Sequence, residues 1–306
     1  MLALIDGDVL VYQVGYTTND VEEWIAAARL RDQIKGILQA TGATEYEIWL
    51  SDSKENWRKA LFANYKANRT QPKPTHYEFL LNTLVKDWDA QVALGEEADD
   101  AMGIRQTQNT EFPEFGLNCA KPEGAWYIGD PSCPDAVGTS VICTIDKDLQ
   151  QIPGMHYNWD KATLSTVSQS EGLYRFYYQL LVGDSGDNIT VTQGLSCKGI
   201  GAKKAQQMLE GCETEEEMFT TCWYAYEKAW GEGFQERLLL TGQLIKIRQT
   251  NGEIWAFPVN NVAKLKILPN TIDTDQTLIT QPVNPVIIHG DGTTAPIIKN
   301  EIIPNG

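Results

Sequence analysis

An α/β fold with a largely parallel sheet is predicted by two features of the chain. Short apolar runs rich in β-branched residues end in acids, as in 141-VICTIDKDLQQIP-153, where Val141, Ile142, Thr144 and Ile145 read as a buried strand that runs into Asp146 and Asp148. The first two such runs are separated by a helical pattern, and parallel neighbours need a crossover of that kind. Open α/β sheets bind ligands beyond the carboxyl ends of their strands, so the Asp146 and Asp148 pair reads as half of a metal site.

Taken in order, 2-LALIDGDVLV-11 reads as a short apolar strand that ends in the Asp6 and Asp8 pair. Residues 19 to 40 place Val21, Trp24, Ile25, Ala28, Ile34, Ile37 and Leu38 among charged positions, an amphipathic helix ending near Gly42. A third apolar strand, 46-YEIWLSD-52, ends at Asp52, and residues 76 to 90 are again helical, followed by a brief strand at 91-QVAL-94. In 95-GEEADDAMG-103, Glu97 and Asp100 share a helix face, whereas Glu97 and Asp99 converge only if Glu97 sits in the turn before the helix. Taken alone, such a cluster serves equally as helix capping or as metal ligation.

Residues 104 to 140 read as loops around a short strand at 125-AWYIG-129. The run 171-EGLYRFYYQLLV-182 is helical, and Asp184 and Asp187 follow it three apart, on one face of a turn. Two further helices are expected at 213 to 230 and 233 to 249, then a short strand through Ile254, Trp255 and Phe257. From about 268 the chain turns to Pro, Thr, Asn and Ile without helical periodicity, as in a loosely ordered tail or a docking segment. There are no internal repeats.

Length and composition bound the reading. The 306 residues, 42% of them hydrophobic, suffice for one large domain or two modest ones. The six cysteines include no CxxC and no regular framework, which favours reduced thiols in a cytoplasmic compartment over disulfides or zinc. No run approaches the roughly 18 apolar residues of a membrane span, and no basic region precedes the first apolar run. The net charge of −16 argues on its face against nucleic acid, so the local distribution of charge decides.

Two local basic stretches stand out. In 53-SKENWRKALFANYKANRTQPKPTH-76, Lys54, Arg58, Lys59, Lys66, Arg69 and Lys73 alternate with Trp57, Phe62 and Tyr65, a pattern that suits phosphates and stacked bases or, equally, a solvated connection. In 194-GLSCKGIGAKKAQQMLEG-211, Gly199 and Gly201 precede a helix beginning near Ala202, with Lys198, Lys203 and Lys204 beside them. That is either an anion-binding turn or an ordinary one.

The order of IDGD, WLSD, YKANR, GEEADD, TIDKD, VGDSGDN and GIGAKKA resembles the 5′-3′ exonuclease and flap endonuclease family, and most of all the phage-encoded exonucleases of short-tailed phages, over roughly residues 2 to 210. The resemblance implies a PIN-like α/β core over residues 1–180 with a helical arch at 53–76. It also implies a helix-three-turn-helix module within 181–258 and leaves 268–306 as the tail. Carried over by position, Asp6, Asp52, Glu97, Asp99, Asp100, Asp146 and Asp148 match one metal cluster, and Asp184 and Asp187 match a second. Tyr65, Lys66 and Arg69 match residues beside the scissile phosphate. Gly199, Gly201, Lys203 and Lys204 match a backbone clamp where some relatives hold a potassium ion, and Lys54, Arg58 and Lys198 add basic contacts to DNA. Asp8 and Gln179 depart from the usual pattern, and the chain after about 210 matches cellular members poorly.

The expected activity is that of a Mg2+-dependent 5′ nuclease, with two ions and Mn2+ able to substitute, because phosphodiester hydrolysis draws on hard cations held by carboxylates. Its expected substrates are duplex DNA with 5′ ends or flaps and RNA–DNA hybrids. The tail is a candidate docking segment for a replication protein. A PIN-type RNase and a noncatalytic DNA-binding module on the same fold are the alternatives.

Overall fold

The computed structural model describes residues 1–109 and 139–258, with the backbone of two short strands at 286–288 and 294–296. One six-stranded sheet organises it, in the order β3-β2-β1-β4-β5-β6. The strands are β1 (Leu2–Asp6), β2 (Glu45–Ser51), β3 (Gln91–Ala93), β4 (Ser140–Cys143), β5 (Gly154–Asn158) and β6 (Thr163–Val167). Every neighbouring pair is parallel except β5 with β6, so the predicted α/β class and largely parallel sheet are observed.

The apolar runs are continuous because both faces of the sheet are covered. Ala3 and Ile5 of β1 and Val141 and Cys143 of β4 pack under helices α1 (Gly7–Thr17), α2 (Glu23–Thr41) and α4 (Tyr77–Asp87). Leu4 and Ile142, on the opposite pleat, pack with Met102 of α5 (Ala98–Gln108) and with Leu149, Ile152 and Ile247. Each such aliphatic side chain stabilises the fold by about 1.5–3 kcal/mol on burial.

The opening run differs from its expectation. β1 stops at Asp6, and the apolar residues Val9, Leu10 and Val11 belong to α1, whose N-cap is Asp6 itself. Gly7 permits the abrupt change, because a Cβ there would stand 2.7 Å from the Trp49 carbonyl of β2. α2 ends as expected, at a left-handed Gly42. The 53–76 stretch, expected as a helical arch, holds one five-residue helix, α3 (Trp57–Leu61), then turns and extended chain.

A second core joins α6 (Gln169–Val182), α7 (Ala202–Leu209), α8 (Glu215–Trp230) and α9 (Phe234–Ile245) to Leu61, Phe62 and Tyr65 of the basic stretch. Residues 254–257 do not form the expected strand; Trp255 and Phe257 pack their rings instead, 6.4 and 5.7 Å from that of Phe219. The strands β5 and β6 were not anticipated. The expected strand at 125–129 lies outside the described residues, as does the tail apart from the antiparallel pair β7 (Val286–Ile288) and β8 (Thr294–Pro296). Among the described residues no helix is long and apolar enough to cross a membrane, and Cys143, Cys197, Cys212 and Cys222 are free thiols.

Candidate metal centre

The sheet reverses its winding between β1 and β4, where β1 is flanked by β2 on one side and β4 on the other. The carboxyl ends of these two strands open the crevice in which doubly wound sheets bind ligands. Asp6 ends β1, and Thr144 and Asp146 follow β4 directly. The Thr144 hydroxyl donates to Asp6 Oδ2 at 2.8 Å and accepts from the Asp146 N–H at 3.0 Å, so one side chain fixes both acids. Asp6 Oδ1 accepts from the Val9 N–H at 3.0 Å, as an N-cap does.

Asp99 joins this group from the first turn of α5, and Asp8 from the first turn of α1. Burial first, and then the charge of Asp8, pushes the Asp6 carboxyl up to about 7. Burial, followed by the charges of Asp6 and Asp146, raises Asp99 well above the usual carboxylate range. Burial raises Asp8 too, against hydrogen bonds from Ser51, whose N–H lies 2.9 Å from its Oδ2.

The second group gathers at the turn after α6. Asp184 Oδ1 accepts from the N–H groups of Gly186 at 2.7 Å and Asp187 at 3.2 Å, and its carboxyl is raised by burial and by a hydrogen-bonded Asp148. Asp148 also accepts from Arg175 Nη2 at 2.8 Å, a partner on α6 that nothing in the sequence singled out. Asp187 accepts from Arg69 Nη2 at 2.6 Å, and the Tyr65 hydroxyl oxygen lies 2.8 Å from both Asp187 Oδ2 and Glu97 Oε2, with one hydrogen to serve the two. Glu97, the N-cap position of α5, lies between the groups and pairs with Lys66. Burial raises the Glu97 carboxyl, but Lys66 and Arg58 outweigh it and hold it low.

Three of the expected site residues, Asp100, Arg58 and Asp52, are placed elsewhere, and a fourth, Tyr65, reaches the site from a buried position. Asp100 is fully buried and grips Arg58 through both oxygens, at 2.5 and 2.8 Å, while accepting from Trp57 Nε1 and the Arg248 N–H, both at 3.1 Å. Arg58 is therefore no DNA contact: it is 2% exposed, and its remaining donors reach the carbonyls of Leu244 at 2.9 Å and Lys246 at 2.7 Å and Glu97 Oε2 at 3.3 Å. The pair pins α3 to α5 and to the end of α9. Asp52 spends both oxygens on backbone N–H groups, Lys54 and Glu55 at one and Gly95 at the other, which hold its carboxyl below the ordinary value. Tyr65 is buried as well, 2% exposed, under the basic stretch rather than on its open side.

Lys54, Lys198, Lys203 and Lys204 are exposed. The glycine turn is tied to α6 by the Cys197 N–H, 3.1 Å from the Leu181 carbonyl. Gly199 takes φ 75°, the left-handed region that favours glycine, and a Cβ at Gly199 or Gly201 would meet open space. Gly201 is the N-cap of α7 and, having no side chain, provides no cap hydrogen bond to the first N–H groups of the helix.

The donor chemistry fits a hard divalent cation, since the gathered side chains are carboxylates, with Asp6 and Asp99 raised by burial first and by their acidic neighbours second. Among the described residues, no three His, Cys, Asp or Glu side chains yet stand in a geometry that could hold a metal ion. Lys66, Arg69 and Arg175 lie on Glu97, Asp187 and Asp148.

No family model matches the chain, and no curated protein matches it in sequence. Solved structures do match. The bacteriophage T5 5′-exonuclease with divalent metal ions (zinc) bound is 14% identical, over 80% of this chain and 98% of that one, with a TM-score of 0.50. A T5 protein co-crystallised with metal ions is 13% identical over 80% and 85% at a TM-score of 0.49. A T5 flap endonuclease in complex with DNA and metal ions is 13% identical over 80% and 98% at a TM-score of 0.48. The first of these carries the conclusion: the chain has the fold of the T5 5′-exonuclease, and the resemblance read from its motifs holds at the level of architecture.

Proposed function

We propose that the chain is a divalent-cation-dependent 5′ nuclease that hydrolyses phosphodiesters from the 5′ end of duplex DNA, with 5′ flaps and the RNA of RNA–DNA hybrids as further substrates in phage replication. The observation that carries this reading is the gathering of acids from four separate segments, around Asp6, Glu97, Asp146 and Asp184, at the carboxyl edge of the parallel sheet with Lys66 and Arg69 beside them.

In this reading Asp6, Asp99 and Asp146 hold one cation, Asp148, Asp184 and Asp187 hold the other, and Glu97 serves between them. Two Mg2+ ions, with Mn2+ able to replace them, would supply an activated water and neutralise charge on the leaving oxygen. The protein's own residues do the rest. Thr144 orients the Asp6 carboxylate and holds the backbone N–H of Asp146. Lys66 and Arg69 neutralise the reacting phosphate, where charge increases in the transition state. The buried Tyr65 holds Glu97 and Asp187 in place and touches no substrate.

The uncapped start of α7 with Gly199, Gly201, Lys198, Lys203 and Lys204 grips duplex phosphates in a helix-three-turn-helix manner, with a potassium ion at the turn, and residues 181–258 form this DNA-binding region beside the core at 1–180. Lys54 adds a phosphate contact at the edge of the basic stretch. The tail from 268 recruits a replication protein. Binding by a chain of net charge −16 is reasonable because many of its acids belong to the cation site and the contacts to DNA are local.

The test is an assay with 5′-labelled duplex, flap and RNA–DNA hybrid substrates, each with Mg2+ or with chelator. Release of label from the 5′ strand only when Mg2+ is present supports the proposal. Chelator-resistant cleavage, or cleavage of free RNA alone, overturns it.

A further inference from the structure

Lys66 holds a backbone conformation that lysine avoids, φ 57°, and the contacts it makes explain why it stays there. Its N–H donates to the Asp187 carbonyl at 3.0 Å, its ammonium is paired with Glu97 Oε1, and Asp187 Oδ2 lies 3.7 Å away. Arg69 adds Nη2 to Asp187 Oδ1 at 2.6 Å and Nε to the Gly186 carbonyl at 3.1 Å. Asn68 donates to the Ser185 carbonyl at 2.6 Å. The segment 64–69 is thus held to the acidic turn by bonds to the carbonyls of Ser185, Gly186 and Asp187, while its two cations sit on the carboxylates of Asp187 and of Glu97 at the start of α5.

We propose that Lys66 and Arg69 act as counter-cations of Glu97 and Asp187 and give up these carboxylates when a divalent cation binds, which frees the two side chains to meet a phosphate. The proposal rests on the cation-site reading above and adds a coupling to it. Its physical basis is competition. A divalent ion carries twice the charge of an ammonium and prefers carboxylate oxygens, while Arg69 is exposed and regains water on release. Tyr65 stays as the anchor, because its ring is packed with Leu61 and Phe62 in the helical core, so release is confined to residues beyond it. Linkage makes the effect reciprocal: whatever factor metal binding contributes to loosening the segment, removal of the clasping cations must return as tighter metal binding.

Mn2+ titration of the full chain without DNA, read by the electron paramagnetic resonance of free Mn2+, tests this. Lys66→Gln with Arg69→Gln is expected to bind Mn2+ about ten-fold more tightly than the wild type, and Lys66→Arg with the wild-type affinity. In the wild type, hydrogen exchange at the amides of 66 to 69 is expected to quicken as Mn2+ saturates. Equal or weaker Mn2+ binding by the double variant, or unchanged exchange, overturns the coupling and leaves the cation site standing. Absence of Mn2+ binding by every form overturns the cation site itself. If the double variant does not fold, the exchange measurement on the wild type decides alone.

Discussion

The Thr144 hydroxyl lies 2.8 Å from Asp6 Oδ2 and spans the gap between the ends of β1 and β4, where the sheet reverses its winding. The same oxygen accepts from the Asp146 N–H. Thr144→Val keeps the shape and loses both interactions, so metal affinity and cleavage should each fall by about 10–100-fold. Global stability should change by only about 1 kcal/mol. Mn2+ titration beside a denaturant melt separates the two effects, and a variant with unaltered metal affinity would show that Thr144 does not orient the acids.

Arg58 should behave as a structural residue. Arg58→Met leaves Asp100 buried and unpaired, which should destabilise the fold by about 3–5 kcal/mol, and Arg58→Met with Asp100→Leu should recover much of that loss. Urea unfolding checks the stability. Duplex binding by the double variant, measured across salt concentrations, should keep the wild-type slope; a shallower slope would return Arg58 to the DNA face.

The buried His156 makes the stability depend on pH. Burial pulls its pKa down to about 4, against the hydrogen bond between its ring Nε2 and the Ile152 carbonyl at 2.7 Å, which alone would raise it. The native state therefore favours the neutral ring, while the unfolded chain takes up a proton near pH 6.5. Its contribution is complete above pH 6.5 and is lost as the pH falls toward 4, by about 3 kcal/mol in all. His156→Asn should flatten the fall in melting temperature over that window, and an unchanged slope would assign the acid sensitivity to other groups.

The strands and helices that bury a continuous or periodic apolar face were legible in the sequence: β1, β2, α2, α4, α8 and α9 all lie close to where their patterns put them. α1 was not, because Val9, Leu10 and Val11 prolong the apolar run of β1 and the change of period falls on Gly7, whose necessity comes from the distant Trp49 carbonyl. β5 and β6 were missed because β5 places the polar His156 among its buried positions and four of the five residues of β6 are exposed, so neither shows an apolar pattern. Within the site, a one-dimensional run of acids does not tell which finds a buried cation. Asp99 and Asp100 are neighbours in sequence, yet α5 turns the first toward Asp6 and the second into Arg58. The same holds for the basic stretch, where Arg58 is buried and Arg69 exposed.

The glycine turn gives a separate test of grip. Lys203 and Lys204 are exposed at the start of α7, and Lys204 makes a long hydrogen bond of 3.4 Å to the Gly199 carbonyl. Changing both to Ala should weaken duplex binding and flatten the dependence of log K on log salt by about 0.9 for each phosphate left without its lysine, with much of the cleavage rate restored at saturating substrate. A slope equal to that of the wild type would make the turn a turn and nothing more.

Single-turnover cleavage of a 5′-labelled duplex by Asp146→Asn, with duplex binding measured on the same protein, tests the cation-site account most directly. Asp146 faces Asp6 and Asp99, and its loss takes a negative ligand from the group while leaving Lys198, Lys203, Lys204 and the apolar core untouched. The account predicts that cleavage collapses while duplex binding survives or tightens, as repulsion near the phosphate falls. Cleavage at the wild-type rate in Mg2+ would contradict it, and the acids beyond β1 and β4 would then be only polar groups at the ends of two strands.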